Sequence, residues 1–125
     1  MNTTGKNILI IDDDARNIFA LSAVLKARGF TCLPAYTAQD GLDILHHNKD
    51  VKVVLLDMMM PEMDGYEAVD IIRHTPDLAG TPVIAVTAQA MVGDREKTLK
   101  AGANAYISKP VDVDELLKLL AQFIH

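Results

Sequence analysis

The stretch from Val51 to Gly65 constrains the fold more than any other part of this sequence. It begins with an almost continuous aliphatic run, broken only by Lys52, and the run ends at Asp57. Such runs are typical of strands buried on both faces, which occur in parallel sheets covered by helices. Pro61 and Gly65 then favour a loop. We therefore expect Asp57 at the carboxyl end of a central parallel strand, where open α/β sheets place their ligand sites.

Length, charge and cysteine content limit the classes of protein. With 125 residues, 50% of them hydrophobic, we expect one domain over residues 1–125 with its core over residues 7–124. The net charge of −5 and the dispersed basic residues argue against direct nucleic-acid binding, which needs clustered Lys and Arg. Cys32 is the only cysteine, no signal-peptide pattern is present, and no apolar run approaches the roughly 20 residues that span a bilayer. We expect a cytoplasmic protein without membrane insertion.

Five aliphatic segments alternate with five segments of helical character. Strands are predicted at 8–11, 31–35, 51–57, 82–86 and 105–108, and helices at 15–28, 37–45, 64–75, 91–101 and 112–124. Apolar residues recur every three or four positions in the helical segments, most regularly in the last one. Regular alternation with short connections predicts an α/β fold, in which a parallel sheet has right-handed crossovers and helices on both faces.

Cap and stop residues mark the ends of these helices. Gly29 is suited to end the first helix. Three helices are predicted to begin with an acceptor side chain three residues before an acid, in the pairs Thr37 and Asp40, Asp64 and Glu67, and Asp112 and Glu115. The fourth helix is the most weakly anchored, because beyond Met91 and Val92 only Leu99 is a large aliphatic residue. A lightly anchored helix can move.

Polar side chains stand at the ends of four predicted strands, namely Asp12 and Asp13, Asp57, Thr87, and Lys109. Because parallel strands end at one edge of a sheet, we expect these side chains to form one site. Neighbouring carboxylates repel one another, and a raised pKa or a bound cation relieves this. Oxygen ligands without His or Cys favour Mg²⁺ or Mn²⁺, which points to phosphoryl chemistry. Asp57 would be the nucleophile, Lys109 would neutralise a phosphoryl oxygen and Thr87 would donate a hydrogen bond.

Four motifs in order resemble the receiver domain of two-component response regulators. They are Ile-Leu-Ile-Ile-Asp-Asp-Asp at 8–14, Leu-Leu-Asp-Met-Met-Met-Pro-Glu-Met-Asp-Gly at 55–65, Val-Thr-Ala at 86–88 and Tyr-Ile-Ser-Lys-Pro at 106–110. The resemblance implies a flavodoxin-like, doubly wound sheet of five parallel strands in the order 2-1-3-4-5, with five helices. The stretch 12–21 is closer to stand-alone or hybrid-histidine-kinase receivers than to those of DNA-binding regulators.

The resemblance also implies roles for the acids. Asp57 would be the phosphoacceptor, and Asp13 and Asp57 would bind Mg²⁺ directly, together with the backbone carbonyl of Met59. Asp12 would act largely through a water ligand. Met59 and Gln89 match positions where the family tunes the access of hydrolytic water. We expect the flexible Met59 side chain to crowd that water without orienting it, which would make self-dephosphorylation moderate to slow.

The remaining motif residues match the family's switch. Thr87 and Tyr106 would form a pair in which the hydroxyl moves toward the phosphoryl group and the aromatic ring turns inward. Lys109 matches the family's lysine, and a cis bond is common at the following Pro110. The implied partners are a histidine kinase or a histidine phosphotransferase, and a downstream protein bound by the fourth helix, fifth strand and fifth helix. Because the sequence ends after that helix, we expect output by protein contact or onward phosphotransfer.

Several residues admit a second interpretation. Asp14 is either a third ligand or, because two preceding acids already fill the family positions, the N-cap of the first helix. The methionines at positions 58, 59, 60 and 63 either form an adaptable surface or fill gaps beside the site. The four histidines lack the spacing of metal ligands and are expected to be solvated. Cys32 is expected to be a small core residue rather than a redox centre.

Two other functions compete with the phosphoacceptor. A phosphatase that forms an aspartyl phosphate, of the haloacid-dehalogenase type, needs an acid two residues after its nucleophile, and Met59 stands there. A receiver-fold interaction module that works without phosphorylation typically lacks some of the acids or the lysine, whereas this chain keeps all of them. We therefore expect a phosphoacceptor domain, and not an enzyme that turns over external substrates.

Overall fold

The computed structural model describes residues 7–88 and 93–124, and they form the predicted alternation of strands and helices. The strands in these residues are β1 Asn7–Ile11, β2 Thr31–Ala35, β3 Val51–Asp57, β4 Val83–Thr87 and β5 Ala105–Ser108. The helices are α1 Ala15–Ala27, α2 Ala38–His47, α3 Gly65–His74, α4 Asp94–Ala101 and α5 Val113–Phe123. The strands lie parallel in the order β2-β1-β3-β4-β5. The flavodoxin-like α/β fold is therefore confirmed.

Both faces of the sheet are buried, because alternate side chains of each central strand point to opposite sides. Leu9 and Ile11 of β1 pack with residues of α2 and α3, whereas Ile8 and Ile10 pack with residues of α1 and α5. This two-sided burial explains why the central strands are continuous aliphatic runs rather than alternating ones. Within the described residues, no helix combines the length and apolar character that crossing a bilayer requires.

Four helices cover the sheet through apolar residues three or four positions apart, and the fifth is held differently. The buried helical anchors include Leu42 and Leu45, Val69 and Ile72, Ile18 and Leu25, and Leu116 and Leu120. Helix α4 lies against α3 and β5. Over Asp94–Ala101 it buries only Thr98, while Leu99 is only partly buried. The helix that the sequence marks as weakly anchored therefore has a polar anchor.

The helix starts follow the predicted caps. The carboxylate of Asp14 accepts a hydrogen bond from the Arg16 backbone N–H at 2.9 Å, which confirms its N-cap interpretation. Thr37, Asp64 and Asp112 each accept from the backbone N–H three residues later, at 3.0, 3.0 and 3.1 Å. Gly29 follows α1 with a φ of +92°, a conformation that favours glycine.

The first two residues of one predicted loop are helical. The second helix was predicted to end at residue 45, before a loop over 46–50, but α2 continues through His47. The ring Nδ1 of His47 lies 2.8 Å from the Asp43 carbonyl, and Asn48 caps the end by donating to the Ile44 carbonyl at 2.9 Å. The prediction was wrong because polar residues on the exposed face of a last helical turn resemble a loop in composition.

Of two other predicted boundaries, one differs by a residue and one falls outside the described residues. Strand β4 begins at Val83 rather than Pro82, since proline has no N–H to give to the ladder, and it includes Thr87. Pro82 still accepts a hydrogen bond from Val54 N–H at 2.9 Å. The predicted start of the fourth helix at Met91 and Val92 lies outside the described residues.

The guanidinium of Arg73 joins the end of α3 to the loops that precede β4 and β5. It donates hydrogen bonds at 2.7–3.0 Å to Gly102 O, Ala79 O, Thr81 O and Asn104 Oδ1. The same Asn104 oxygen accepts from the Val83 backbone N–H at 2.8 Å. Partial burial lowers the pKa of Arg73. One side chain thus fixes the loops through which both strands enter the sheet.

Candidate functional site

The structure brings the predicted polar residues together at one edge of the sheet. Asp12 directly follows β1, Asp57 ends β3, Thr87 ends β4, and Lys109 directly follows β5. The pairing of Asp57 with Val86, one residue before Thr87, keeps the ends of β3 and β4 level. Because all these strands run in the same direction, their carboxyl ends share that edge, as expected.

Three carboxylates and one ammonium group form the centre of the site. Asp12, Asp13 and Asp57 each place a carboxylate oxygen within 4.8 Å of the others. Asp12 and Asp57 are both 4% exposed, whereas Asp13 is exposed to solvent. The Lys109 Nζ lies 3.3 Å from Asp12 Oδ2 and 3.6 Å from Asp57 Oδ2. A single positive charge therefore faces two buried carboxylates.

Neighbouring donors hold the two buried carboxylates in fixed orientations. Asp57 Oδ1 accepts a hydrogen bond from the Met59 backbone N–H at 3.0 Å, so its Oδ2 faces Lys109. Asp12 Oδ1 accepts from the Asp14 backbone N–H at 2.8 Å, and Asp12 Oδ2 accepts from Asn17 Nδ2 at 3.4 Å. Asn17 was not among the site residues predicted from the sequence. Asn17 lies in the first turns of α1, five residues after Asp12, and this position could have identified it as a partner of the Asp12 carboxylate.

The electrostatics of the site favour a cation. Burial raises the pKa of the Asp57 carboxyl, and the charges of Asp12 and Asp13 raise it further. The Met59 N–H and the Lys109 ammonium oppose that rise only in part. A divalent cation among these oxygens would relieve the remaining repulsion. The donors are all oxygens, which suits a hard ion such as Mg²⁺ or Mn²⁺.

Thr87 and Tyr106 line a common cavity that borders the residues directly after Asp57. Thr87 is 5% exposed, and its carbonyl accepts a hydrogen bond from the Lys109 backbone N–H at 2.7 Å. Tyr106 is partly exposed, and desolvation together with the nearby charge of Asp94 raises the pKa of its hydroxyl. The cavity has a volume of about 200 Å³, and its other walls are Met58, Met59, Tyr66, Asp94, Lys97 and Thr98.

A larger groove of about 510 Å³ opens on the other side of the site, between α1 and the segment that leads into α5. Asp12 and Lys109 form its inner end. Its apolar walls come from Ala20, Leu21, Val24, Val86, Pro110, Val111 and Val113. On the same helix Phe19 is 78% exposed. This groove was not predicted from the sequence, because it depends on how α1 packs beside the chain after β5.

The methionines divide between the two interpretations. Met58 is 1% exposed and Met60 7%, and both belong to the hydrophobic core, so they fill space beneath the site. Met63 packs partly against that core. Met59 is 50% exposed and lies at the rim of the cavity. Gly65 folds back so closely that an added Cβ would lie 2.6 Å from Met58 Cα, which explains why no side chain fits there.

The remaining candidates lie away from the site. The histidines at positions 46, 47 and 74 are exposed, as predicted, whereas His125 and Gln89 lie outside the described residues. Cys32 is partly buried and packs against the core formed with α1 and α5. Burial raises the pKa of its thiol, which agrees with a small core residue. The Lys109–Pro110 peptide bond is cis, as the resemblance implied.

Comparison with known proteins gives consistent matches over nearly the whole chain. The family model described as response regulator receiver domain matches residues 8–121. The polar-differentiation response regulator DivK of Brucella ovis is 31% identical over 120 residues, which cover 95% of this chain and 96% of DivK. A putative response regulator from Chloroflexus aurantiacus superposes with a TM-score of 0.88 at 27% identity, over 94% of this chain and 96% of that one.

A fourth match was solved together with a partner. The receiver domain of the Saccharomyces cerevisiae response regulator Ssk1, in complex with the histidine phosphotransfer protein Ypd1, has a TM-score of 0.85 and 25% identity. That match covers 94% of this chain and 87% of the Ssk1 chain. The likeness therefore extends to sequence as well as fold, and it spans 87–96% of these matched chains.

Proposed function

Because this chain belongs to the response regulator receiver domain family, we propose that it is a Mg²⁺-dependent phosphoacceptor that takes a phosphoryl group from a phosphohistidine partner onto Asp57. The observation that carries the proposal is the position of Asp57, a buried carboxylate 3.6 Å from Lys109 Nζ and grouped with Asp12 and Asp13. The proposal treats residues 1–125 as one receiver domain acting in the cytoplasm.

The chemistry follows from the orientation of the Asp57 carboxylate. One of its oxygens attacks phosphorus, an O–P bond forms, and the P–N bond to the donor imidazole breaks with its electron pair returning to nitrogen. Lys109 neutralises a phosphoryl oxygen, and the Thr87 hydroxyl donates a hydrogen bond to another. Asp12, Asp13, Asp57 and the Met59 carbonyl would hold Mg²⁺, which supplies charge neutralisation when bound. Asn17 keeps Asp12 oriented.

The groove beside α1 supports the proposal of a protein donor. Its inner end is formed by Asp12 and Lys109, so a partner covering it would bring its phosphohistidine to Asp57. Its walls are apolar, which suits the apolar face of a helix. The related Ssk1 receiver was solved with a histidine phosphotransfer protein. We propose that a histidine kinase or histidine phosphotransferase docks here with the helix that carries its phosphohistidine.

The output surface is proposed to be the face formed by α4, β5 and α5. Tyr106 lies on β5 and, with Thr87, lines the cavity below α4. Movement of these two side chains toward the site would be transmitted to α4, which buries only Thr98. On this proposal the chain is a switch read by a downstream protein, and not an enzyme acting on external substrates.

The assignment of Asp57 is tested with a small phosphodonor. Incubation with Mg²⁺ and acetyl phosphate or phosphoramidate should give an acid-stable, alkali-labile adduct, located on Asp57 by mass spectrometry. Chelation of Mg²⁺ should prevent it. Equal labelling of Asp57→Asn would disprove the assignment. Repeated release of phosphate from ordinary phosphomonoesters would instead favour a phosphatase, and partner binding indifferent to Mg²⁺ and phosphodonor would favour an interaction module.

The proposed docking groove is tested by comparing donors. Ala20 lies on an exposed part of α1 and lines the groove, so Ala20→Arg should obstruct a protein donor. We expect phosphotransfer from a cognate phosphotransferase to slow about ten-fold or more, with labelling by acetyl phosphate unchanged. Ala121→Arg, at an exposed position of α5, is the matched control. Equal slowing by both variants, or by neither, contradicts docking in this groove.

The Met59 side chain provides a test of phosphoryl lifetime. It is half-exposed at the rim of the site, where it can crowd water approaching the acyl phosphate. Met59→Asn and Met59→Glu should accelerate phosphate loss, because a polar side chain can orient that water. The measurement is decay of the phosphorylated protein after removal of the donor. An unchanged decay rate would exclude Met59 as a determinant of lifetime.

A further inference from the structure

A hydroxyl of α3 contacts a hydroxyl of α4 beside the switch pair. The phenol oxygen of Tyr66 lies 3.2 Å from Thr98 Oγ1, and the two residues are 32 positions apart in the chain. The ammonium of Lys97 lies 4.8 Å from the centre of the Tyr66 ring, a cation–π geometry. Two consecutive residues of α4 therefore meet one aromatic side chain of α3.

This contact is made by the buried residue of α4. Thr98 is 1% exposed and is the one buried residue of Asp94–Ala101. A buried hydroxyl without a hydrogen bond costs free energy, so Thr98 favours the arrangement in which Tyr66 supplies one. The first residue of α4 follows Gly93, which provides no side-chain cap. The Tyr66 hydroxyl therefore contributes to the position of α4.

The contact also borders the space available to the switch. Tyr66, Lys97 and Thr98 form one wall of the 200 Å³ cavity, and Thr87 and Tyr106 form another. A shift of α4 away from α3 would change the width of that cavity and break the hydroxyl contact. The position of α4 and the space available to the Tyr106 ring are therefore coupled, because both border the same cavity.

We propose that Tyr66 is a positioning residue for the switch: its bond to Thr98 holds α4 in the described arrangement and opposes displacement of the helix on phosphorylation. The proposal rests on the function proposed above. A partly buried hydrogen bond between neutral groups contributes about a five-fold change in an equilibrium, equivalent to about 1 kcal/mol. The bond therefore sets how readily α4 responds once the Asp57 carboxylate is modified.

The test is a double-mutant cycle with Tyr66→Phe and Thr98→Val. Each substitution removes one hydroxyl with little change of shape. Two readouts are used: hydrogen exchange of α4 amides in the protein alone, and the apparent dissociation constant of beryllofluoride with Mg²⁺, a phosphoryl mimic, followed by amide chemical shifts. Thr98→Ser keeps the hydroxyl and is the matched control, and thermal unfolding detects a general loss of stability.

We expect each single variant to exchange its α4 amides about five-fold faster and to bind beryllofluoride about five-fold more tightly. The double variant should show no further change, because both substitutions remove the same bond. Thr98→Ser should behave as the wild type. Additive effects, wild-type behaviour of Tyr66→Phe, or a Thr98→Ser variant that resembles Thr98→Val would overturn the proposal.

Failure of the proposed function gives a different result. If the wild-type protein does not bind beryllofluoride, the phosphoacceptor assignment fails, and the exchange of α4 amides still decides whether Tyr66 anchors the helix. If the wild type binds beryllofluoride and the variants bind it with unchanged affinity, Asp57 keeps its role and Tyr66 has no part in the switch.

Discussion

Helices α3 and α4 are neighbours in contact, but they are held by different forces. Helix α3 buries Gly65, Ala68, Val69 and Ile72, and Arg73 at its end bonds the loops before β4 and β5. Helix α4 buries Thr98 alone and meets α3 through a hydroxyl contact and a cation over a ring. Buried apolar side chains hold α3, whereas a few polar contacts hold α4 against it.

The difference between the two helices means that Asp57 lies next to the firmly packed α3, whereas the proposed output surface includes the lightly held α4. Asp57 stands one short loop before α3, and Met58 beneath that loop is fully packed, so the carboxylate has a rigid base. The cavity under α4 reaches the same edge of the sheet through Thr87. A rigid frame keeps reactive groups in register, whereas a lightly held helix changes position at low cost in free energy.

Truncation of an α3 anchor should have the largest effect on stability. Ile72 is fully buried, so Ile72→Ala removes apolar contacts and leaves a cavity. We expect a loss of about 3 kcal/mol in the free energy of unfolding, measured by urea denaturation. A loss below about 1 kcal/mol would mean that α3 is not the rigid partner in the comparison.

Loss of the Arg73 hydrogen bonds should have the second largest effect on the free energy of unfolding. Lysine has a single ammonium and cannot reach the carbonyls on both sides of the guanidinium, so Arg73→Lys leaves polar groups of the loops unsatisfied. We expect a loss of about 2 kcal/mol in the free energy of unfolding. Arg95→Lys, on the exposed face of α4, is the control and should stay within about 0.5 kcal/mol of the wild type. Equal effects would remove the distinction between the helices.

Burying the ionised Asp57 carboxylate should lower the free energy of unfolding at neutral pH. Burial raises the pKa of Asp57 in the folded protein. The carboxyl group therefore stabilises the folded state fully below its unfolded-state pKa near 3.8, and this contribution is lost as the pH rises through the folded-state pKa. With EDTA present, Asp57→Asn should therefore be more stable than the wild type at pH 7, by on the order of 1 kcal/mol.

That advantage should shrink as the pH falls through the raised folded-state pKa and vanish below 3.8, where the wild-type carboxyl is protonated in both states. The measurement is chemical denaturation of both proteins across the pH range. Asp77→Asn, at an exposed acid, is the control and should show little gain. A gain independent of pH would mean that packing, and not charge, accounts for the difference.

The smallest change is expected in α4. Leu99 is only partly buried, so Leu99→Ala should lower the free energy of unfolding by less than about 1 kcal/mol. The same urea titration used for Ile72→Ala gives the value. A loss close to that of Ile72→Ala would show that α4 has an apolar anchor after all, and the contrast between the two helices would disappear.

Much of the fold could be predicted because local signals agree with the final structure. Strands β2, β3 and β5 have the predicted bounds, since each is an apolar run closed by turn or polar residues. The acids and Lys109 could be placed together because parallel strands end at one edge. The end of α2 was wrong, because His46 and His47 are polar residues of an exposed helical face and carry no apolar period.

Contacts between elements could not be predicted in the same way. The Tyr66–Thr98 contact and the Arg73 bonds join residues far apart in the chain, and they depend on how α3 packs against α4 and the loops. Thr98 appears in the sequence as one polar residue in a charged helix, with no period to mark it as buried. Leu99, the apolar residue beside it, was the natural but less buried choice for the anchor.

The polar anchoring of α4 has a thermodynamic consequence. Because the helix covers little apolar surface, its displacement exposes little, so the accompanying heat-capacity change should be small. Global unfolding exposes the large apolar core and therefore depends steeply on temperature and denaturant. The enthalpy of displacing α4 should then vary little with temperature, so a van't Hoff plot of the displacement should be nearly straight, whereas that of global unfolding should curve.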